Sequence, residues 1–172
     1  MRHSFRPERC GADARWRRLI GIIPTRPDHN AKKGNAMSVI VTDAGFALDD
    51  WNNGFRNPDV SPANNCSQAV DIAPDFDTDA LASLRSAPMI RIAFPSSADG
   101  RGFTLAAMLR RAGYRGRLRA CGHVLADQYA MARRSGFDEV EIDDALAARQ
   151  PQDQWLARAN WQDNSYQNRL RG

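Results

Sequence analysis

Two consecutive strand–helix units between residues 89 and 142 constrain the fold of this chain more than any other feature. Short apolar segments alternate with segments whose apolar residues recur every three or four positions, and Gly113 and Gly136 stand where each helix would end. The pattern predicts strands at 89–94, 117–121 and 138–142 and helices at 101–112 and 124–135. A βαβαβ order implies parallel strands joined by right-handed crossovers.

The preceding residues predict only short strands, because glycines and prolines interrupt them. One strand is expected at 39–42 and a weaker one at 68–72, with a loop between them. Asp77 is expected to cap a short helix at 78–86. The expected fold class is α/β: a small parallel βαβαβ sheet with flanking helices, with a partial (β/α) barrel as one form of it, preceded by short N-terminal strands.

The length of 172 residues suits one domain. Residues 1–36 hold most of the excess positive charge, so we expect a disordered basic tail upstream of a true start at Met37. The domain is expected at 37–150, followed by a C-terminal extension at 151–172 that Trp155, Trp161 and Tyr166 anchor. Because the remaining chain is slightly acidic, its charge does not favour a nucleic-acid partner.

Apolar runs and cysteines exclude several other classes. The longest apolar run in the tail, 19–23, is too short for a signal peptide, and no segment approaches the roughly 20 apolar residues of a membrane span. Cys10, Cys66 and Cys121 have no paired spacing. We therefore expect no metal, no cofactor, no membrane partner and a cytoplasmic location.

The three strands of the repeated unit alternate between apolar and charged residues, whereas parallel strands buried on both faces are usually apolar throughout. One face is thereby charged, through Arg91, Arg117, Arg119, Glu139 and Glu141. Two interpretations stay open. The face carries partly solvated cross-strand ion pairs, or it lines a cavity like the interior of a partial (β/α) barrel.

The loop at 95–102 is a candidate anion site, because it leads into a helix whose first amides lack intrahelical partners. The residues expected to bind a small oxyanion such as sulfate, sulfite or phosphate are Ser96, Ser97, Gly100, Arg101 and Gly102. Here the two glycines would let the ligand approach the backbone. The alternative is that Asp99 caps the helix and pairs with Arg101.

Three residues are candidate catalytic groups: Asp99, His123 and Asp127. His123 lies between Cys121 and Asp127, so that a thiol, an imidazole and a carboxylate are close in sequence. The alternatives are a surface histidine and an aspartate that stabilises the first turn of a helix. The identity of any catalytic residue stays open, and so does the question of whether the protein is an enzyme.

Several segments together resemble a bacterial family called domain of unknown function 934. They are IAFP (92–95), ADGRGF (98–103), GYRG (113–116), LRA (118–120), VL (124–125), DQ (127–128) and GFD (136–138), and the resemblance spans roughly residues 37–142. Members carry the label of oxidoreductases involved in sulfite reduction, because they are encoded beside assimilatory sulfite reductase.

The resemblance also implies which residues matter. The family usually has an aspartate where His123 stands and frequently a cysteine where Ser135 stands, which favours Asp99, Arg101 and Asp127 as the shared set. It implies an accessory protein of assimilatory sulfate and sulfite reduction that acts with sulfite reductase and binds an oxyanion. The alternatives are a small stand-alone (β/α)-type enzyme acting on an anionic metabolite and a non-catalytic binding module.

Overall fold

A computed structural model describes residues 38–58 and 67–162 of the protein. Its strands are β1 (Ser38–Thr42), β2 (Gly45–Ala47), β3 (Phe55–Arg56), β4 (Ala69–Ile72), β5 (Met89–Phe94), β6 (Arg117–Gly122) and β7 (Glu139–Asp143). Its α-helices are α1 (Arg101–Arg111), α2 (Tyr129–Ser135), α3 (Asp144–Arg149) and α4 (Gln152–Leu156). The expectations for the tail, Cys66 and Tyr166 lie outside the described residues.

The strands form one sheet in the order β2-β1-β7-β6-β5-β4-β3. All pairs from β3 to β7 are parallel, whereas β1 runs antiparallel to both β2 and β7. This confirms the α/β class and the parallel βαβαβ unit, within a larger mixed sheet. Because β4, β5, β6 and β7 follow one another in one direction, right-handed crossovers place their connecting helices on a single face.

The hydrophobic core lies between that face and the helices. Ile90, Ile92, Leu118 and Val140 are inaccessible to solvent and point toward α1 and α2, as the alternation in the sequence requires. Burial of such side chains stabilises the fold by about 1.5–3 kcal/mol each before entropy is counted. The extension also contributes, because Trp155 of α4 is buried against the Tyr129 ring.

Several predicted boundaries change. Thr78–Leu84 forms a 3₁₀ helix with Asp77 as its cap, and the predicted helix at 124–135 consists of a 3₁₀ turn, Ala126–Gln128, followed by α2. The loop expected between 42 and 68 contains β2 and β3. Both were missed because strands of three and two residues carry no readable alternation.

Residues 48–54, which we call the strap, connect β2 at one edge of the sheet to β3 at the other. A flat sheet would separate these strands by six spacings, about 28–29 Å. The eight residue steps from Ala47 to Phe55 reach at most about 26–29 Å when fully extended. The strap is not fully extended, because the Asp49 side chain accepts from the Trp51 amide and Gly54 has φ +71°. The sheet must therefore curve toward the strap.

A side chain closes the edge of the sheet at β2. The Phe46 amide, which no further strand pairs, donates to Gln152 Oε1 at 3.0 Å. Gly45 permits this contact, because a Cβ there would lie 2.8 Å from Gln152 Cδ. The start of α4 is thus fixed against the edge strand.

Candidate functional site

The loop predicted to bind an oxyanion lies at the carboxyl edge of the parallel strands, and its arginine is already paired. Arg101 Nε and Nη2 donate to the two carboxylate oxygens of Asp99 at 2.9 and 2.7 Å. Asp99 Oδ1 also accepts from the Arg101 amide at 3.1 Å. This hydrogen bonding lowers the pKa of Asp99 and keeps it ionised. The alternative of an Asp99–Arg101 pair is the arrangement in the structure, and the anion site stays a prediction.

The remaining loop residues serve largely local structure. Ser96 Oγ accepts from the Ala98 amide at 3.2 Å, and the Ser97 carbonyl accepts from Gln128 Nε2 at 2.7 Å. Gly102 is buried, and a Cβ at this position would lie 2.4 Å from Phe94 Cζ. Packing therefore explains Gly102, whereas Gly100 has open space around it and stays accessible.

The structure brings the first two strand-end loops together, as the parallel order requires. The His123 amide donates to the Phe94 carbonyl at 2.9 Å, and the contact between Gln128 and Ser97 joins the same loops. The His123 side chain is exposed. Asp127 is exposed and pairs with Arg158 at 2.7 Å, and Asp143 caps α3 by accepting from the Leu146 amide. Among the described residues, no hydrogen bond joins any two of His123, Asp99 and Asp127.

The carboxyl edge carries mostly negative charge. Its aspartates follow β4, β5 and β7 or begin helices, and they are Asp75, Asp77, Asp79, Asp99, Asp127, Asp143 and Asp144. Acidic residues stabilise helix N-termini, and the helices that follow these strands start at this edge. The electric field of these aspartates repels an incoming anion. The backbone amides of the loop at 95–102 are therefore the main groups that would attract one.

The centre of the charged face of the sheet is buried beneath the strap and is not open to solvent. Arg119 is inaccessible to solvent, and Glu139 and Glu141 are 3% and 9% exposed. Arg119 Nε donates to Glu139 and its Nη1 donates to Glu141 at 3.1 Å. The strap supplies the outer partners, since Asp49 pairs with Arg119 at 2.7 Å and Asp50 with Arg117 at 2.7 Å.

The network continues across the neighbouring strands. Arg91 pairs with Asp71 at 2.7 Å and with Glu141 at 3.4 Å, and its guanidinium lies 3.8 Å from the centre of the Phe55 ring. The expected cross-strand pairs are therefore present. The strap covers those of Arg119, whereas the side chains of Arg117 and Asp71 stay 32% and 24% exposed.

Two pKa shifts follow from this burial. Burial raises the pKa of the Asp49 carboxyl, but hydrogen bonds from Arg119 and from the Trp51 amide outweigh it, so the net pKa is lowered. Burial, reinforced by Glu141, raises the pKa of the Cys121 thiol to about 12. A thiol with that pKa is protonated at neutral pH and is a poor nucleophile. Cys121 is thus not an activated partner for His123.

The opposite, amino edge of the parallel strands is basic. The helices run back toward this edge, and their last turns place Arg110, Arg111, Arg133 and Arg134 there. Arg110 and Arg133 are paired with Asp138 and Asp43. Within the described ranges, Arg85, Arg111 and Arg115 have exposed side chains and no carboxylate partner.

Two shallow cavities, each about 550 Å³, lie at this edge on either side of Arg115. One is also lined by Tyr114, Arg133 and Trp161, and the other by Arg85 and Gly113. We call Arg85, Arg111 and Arg115, with these cavities, the basic edge. It was not predicted from the sequence. Its one signal in the sequence is that each arginine stands at or just after the end of a helical segment. Whether those ends meet depends on the strand order, which the sequence does not reveal.

The fold and its charges define a class of protein: an α/β domain with helices on one face of the sheet and a strapped, ion-paired face on the other. The chain belongs to the family described as bacterial protein of unknown function (DUF934), whose family model matches residues 69–172. This confirms the family resemblance, and the match reaches through the C-terminal extension. Comparison with curated proteins and with solved structures found no match.

Two searches of the described residues gave negative results. No helix in 38–58 or 67–162 is long and apolar enough to cross a membrane. No group of three or more His, Cys, Asp or Glu side chains in the same ranges is arranged to hold a metal ion.

Proposed function

We propose that this protein is a cytoplasmic accessory protein of assimilatory sulfate and sulfite reduction that docks onto sulfite reductase through its basic edge. The observation that carries the proposal is the clustering of Arg85, Arg111 and Arg115 at one edge without carboxylate partners among the described residues. Unpaired arginines suit an acidic surface on another protein, where they speed encounter and set its orientation.

The shape of the basic edge supports the same role. Arg115 stands between two cavities, so acidic or aromatic side chains of a partner have recesses on both sides of a guanidinium. Arginine and aromatic residues in such positions contribute most of the energy of many interfaces. Trp161 supplies the aromatic part.

The accessory role is supported over catalysis by what the candidate catalytic groups contact. Asp99 is bound to Arg101, Asp127 is bound to Arg158, and the Cys121 thiol is protonated at neutral pH. An acid–base or nucleophilic pair needs mutual hydrogen bonding, which these groups direct elsewhere.

A binding experiment tests the docking. Arg85, Arg111 and Arg115 are changed together to Gln, and binding to the sulfite reductase of the same genome is measured by calorimetry at low and high salt. The affinity is expected to fall at least about tenfold and to lose much of its salt dependence. Arg101, Arg149 and Arg158, three exposed arginines elsewhere, are changed to Gln as the charge-matched control.

Equal loss in both triple variants, or no binding by the wild type, contradicts the proposal. A deletion strain supplies the pathway test: growth is expected to fail or slow with sulfate as the sole sulfur source and to recover with a reduced source. The basic-edge variant is expected not to restore growth, whereas Arg149→Gln, at an exposed arginine outside every candidate site, is expected to restore it. Normal growth of the deletion strain on sulfate would exclude the sulfite assignment.

The curved, strapped face favours a second candidate, a small stand-alone (β/α)-type protein acting on an anionic metabolite. Arg91, Arg117 and Arg119 are the cationic groups that an anionic guest on this face would contact. Stabilisation of the isolated protein by such a metabolite, without any partner, supports this candidate. A non-catalytic binding module would bind without turnover.

A further inference from the structure

We propose that the strap is a lid over a binding site for a small dianion, in which Arg117 and Arg119 are the anion-binding groups. Strap carboxylates occupy that site in the structure. Both Nη atoms of Arg119 donate to Asp49, at 2.7 and 2.9 Å, and Arg117 pairs with Asp50 at 2.7 Å. A guanidinium fork on a carboxylate is also the geometry that binds free carboxylates and tetrahedral oxyanions.

A ligand can replace these two strap carboxylates, because both arginines also have carboxylate partners on the sheet. Arg117 keeps Glu139 as a partner when the strap is disregarded, and Arg119 keeps Glu139 and Glu141. The charges of the face are then balanced, with Arg91, Arg117 and Arg119 against Asp71, Glu139 and Glu141. Asp49 and Asp50 add two negative charges to this balanced set. An incoming dianion replaces them without unpairing any group of the sheet.

The strap is held to the sheet by few bonds. Among the described residues, the hydrogen bonds and ion pairs that tie 48–53 to other elements all come from Asp49 and Asp50. The other bonds of the segment are local, such as Trp51 Nε1 to the Gly54 carbonyl at 2.9 Å. Leu48 is 83% exposed, so it does not anchor the strap either. The free energy needed to open a segment with so few contacts is well below the free energy of global unfolding.

Gly54 gives the strap a hinge at its far end. Its φ of +71° is a conformation that other residues rarely adopt, and no packing explains it, because a Cβ there would meet only Gln68 Nε2 at 3.8 Å. The bond from the Ala69 amide to the Gly54 carbonyl fixes this end, and the pairing of β2 with β1 fixes the other, so that displacement of the strap is confined to the residues between.

The position of the two arginines sets the ligand class. Arg117 and Arg119 are two residues apart on β6, which places their Cα atoms about 6.5–7 Å apart on the same face. Two guanidiniums at that spacing suit a short dicarboxylate or one tetrahedral dianion between them. Glu139 and Glu141 border the site and limit its size.

The first experiment removes the strap's charges. Asp49 and Asp50 are both changed to Asn, and titration calorimetry measures binding of sodium malonate and of sodium sulfate at constant ionic strength. The double variant is expected to bind one of them at least about tenfold more tightly than the wild type, and the preferred probe identifies the ligand geometry. Asp127→Asn is the control, because it frees the exposed Arg158 from its carboxylate partner at a surface outside both candidate anion sites.

No gain in affinity for either probe overturns the proposal. An equal gain in Asp127→Asn also overturns it, because the release of any guanidinium would then be enough to bind the probe. Adding Arg117→Gln to the double variant is expected to abolish the gain.

The second experiment uses the wild-type chain and does not depend on a variant that folds. Chymotrypsin cleavage after Trp51 is followed in sodium sulfate, in sodium malonate and in sodium chloride of equal ionic strength. A dianion that displaces the strap is expected to accelerate this cleavage severalfold, while cleavage after the buried Tyr129 stays slow. Identical rates of cleavage after Trp51 in all three salts would overturn the proposal that the strap is a lid.

Discussion

The two faces of the sheet are built from the same strands and are held together by different forces. In β6, Leu118 and Ala120 face the helices and pack among aliphatic and aromatic side chains, whereas Arg117 and Arg119 face the strap and bind carboxylates. Dispersion and hydrophobic burial respond little to salt or pH, but ion pairs respond to both. The comparison teaches that one alternating sequence produces an apolar core on one face of the sheet and an ion-paired surface on the other.

The strapped face is expected to lose most stability when Arg119 is removed. Arg119→Met keeps the length of the side chain but leaves Glu139 and Glu141 buried without their shared cation, which costs about 3–5 kcal/mol. Urea unfolding at neutral pH measures this loss. Arg101→Met, at the exposed pair with Asp99, is expected to cost far less stability. Equal losses of unfolding free energy in the two variants would show that the buried network stabilises the fold no more than an exposed ion pair does.

The helix face is expected to respond to the loss of volume. Leu109→Ala removes a fully buried side chain of α1 and is expected to cost about 2–5 kcal/mol, because a cavity remains. Urea unfolding in low and high sodium chloride should give the same loss. Leu48→Ala, on the strap, is the exposed control and should stay within about 0.5 kcal/mol. A salt-dependent loss at Leu109 would break the contrast between the faces.

Two glycines two residues apart sharpen the contrast between packing and loop structure. Gly102→Ala forces a methyl group against the Phe94 ring and is expected to cost about 1–3 kcal/mol. Gly100→Ala meets no atom within 4 Å and has φ −83°, so it is expected to be neutral or to stabilise by up to about 1 kcal/mol. Thermal unfolding of both variants decides this, and a cost at Gly100 that equals the cost at Gly102 would contradict it.

Acid is expected to weaken the strapped face by the smallest amount. The folded-state pKa of Asp49 lies below its ordinary value of 3.8, so its stabilisation is complete above that pH and is lost as pH falls through the folded pKa. As pH falls from about 5 through the folded-state pKa of Asp49, Asp49→Asn should lose less stability than the wild type. Parallel pH profiles of the two proteins would show that the strap pair contributes nothing.

The sequence predicted the parallel strands and the Asp77 cap, because alternation, helical periodicity and capping are local signals. It also revealed that one face is charged. It did not predict that the strap covers this face, since Asp49 and Arg119 are 70 residues apart and only the strand order makes them neighbours. The antiparallel pairing of β1 with β7 was missed for the same reason.

The candidate site was predictable in location more than in chemistry. The loops after β5 and β6 do meet, as parallel neighbours must. The partners of Arg101 and Asp127 were harder to predict. For Arg101, the pair with Asp99 was one of two open interpretations. Asp127 pairs with Arg158, which comes from the C-terminal extension. The basic edge requires knowing which helix ends converge, and no local pattern provides that.

The contact between Gln152 and the Phe46 amide has a consequence for the molecule in a crowded solution. An unpaired amide on an edge strand is where a second chain adds itself, and repeated addition leads to ribbons and insoluble fibres. Gln152 already satisfies that donor with a side chain that cannot propagate the ladder. One glutamine thereby protects this border of the sheet against self-association.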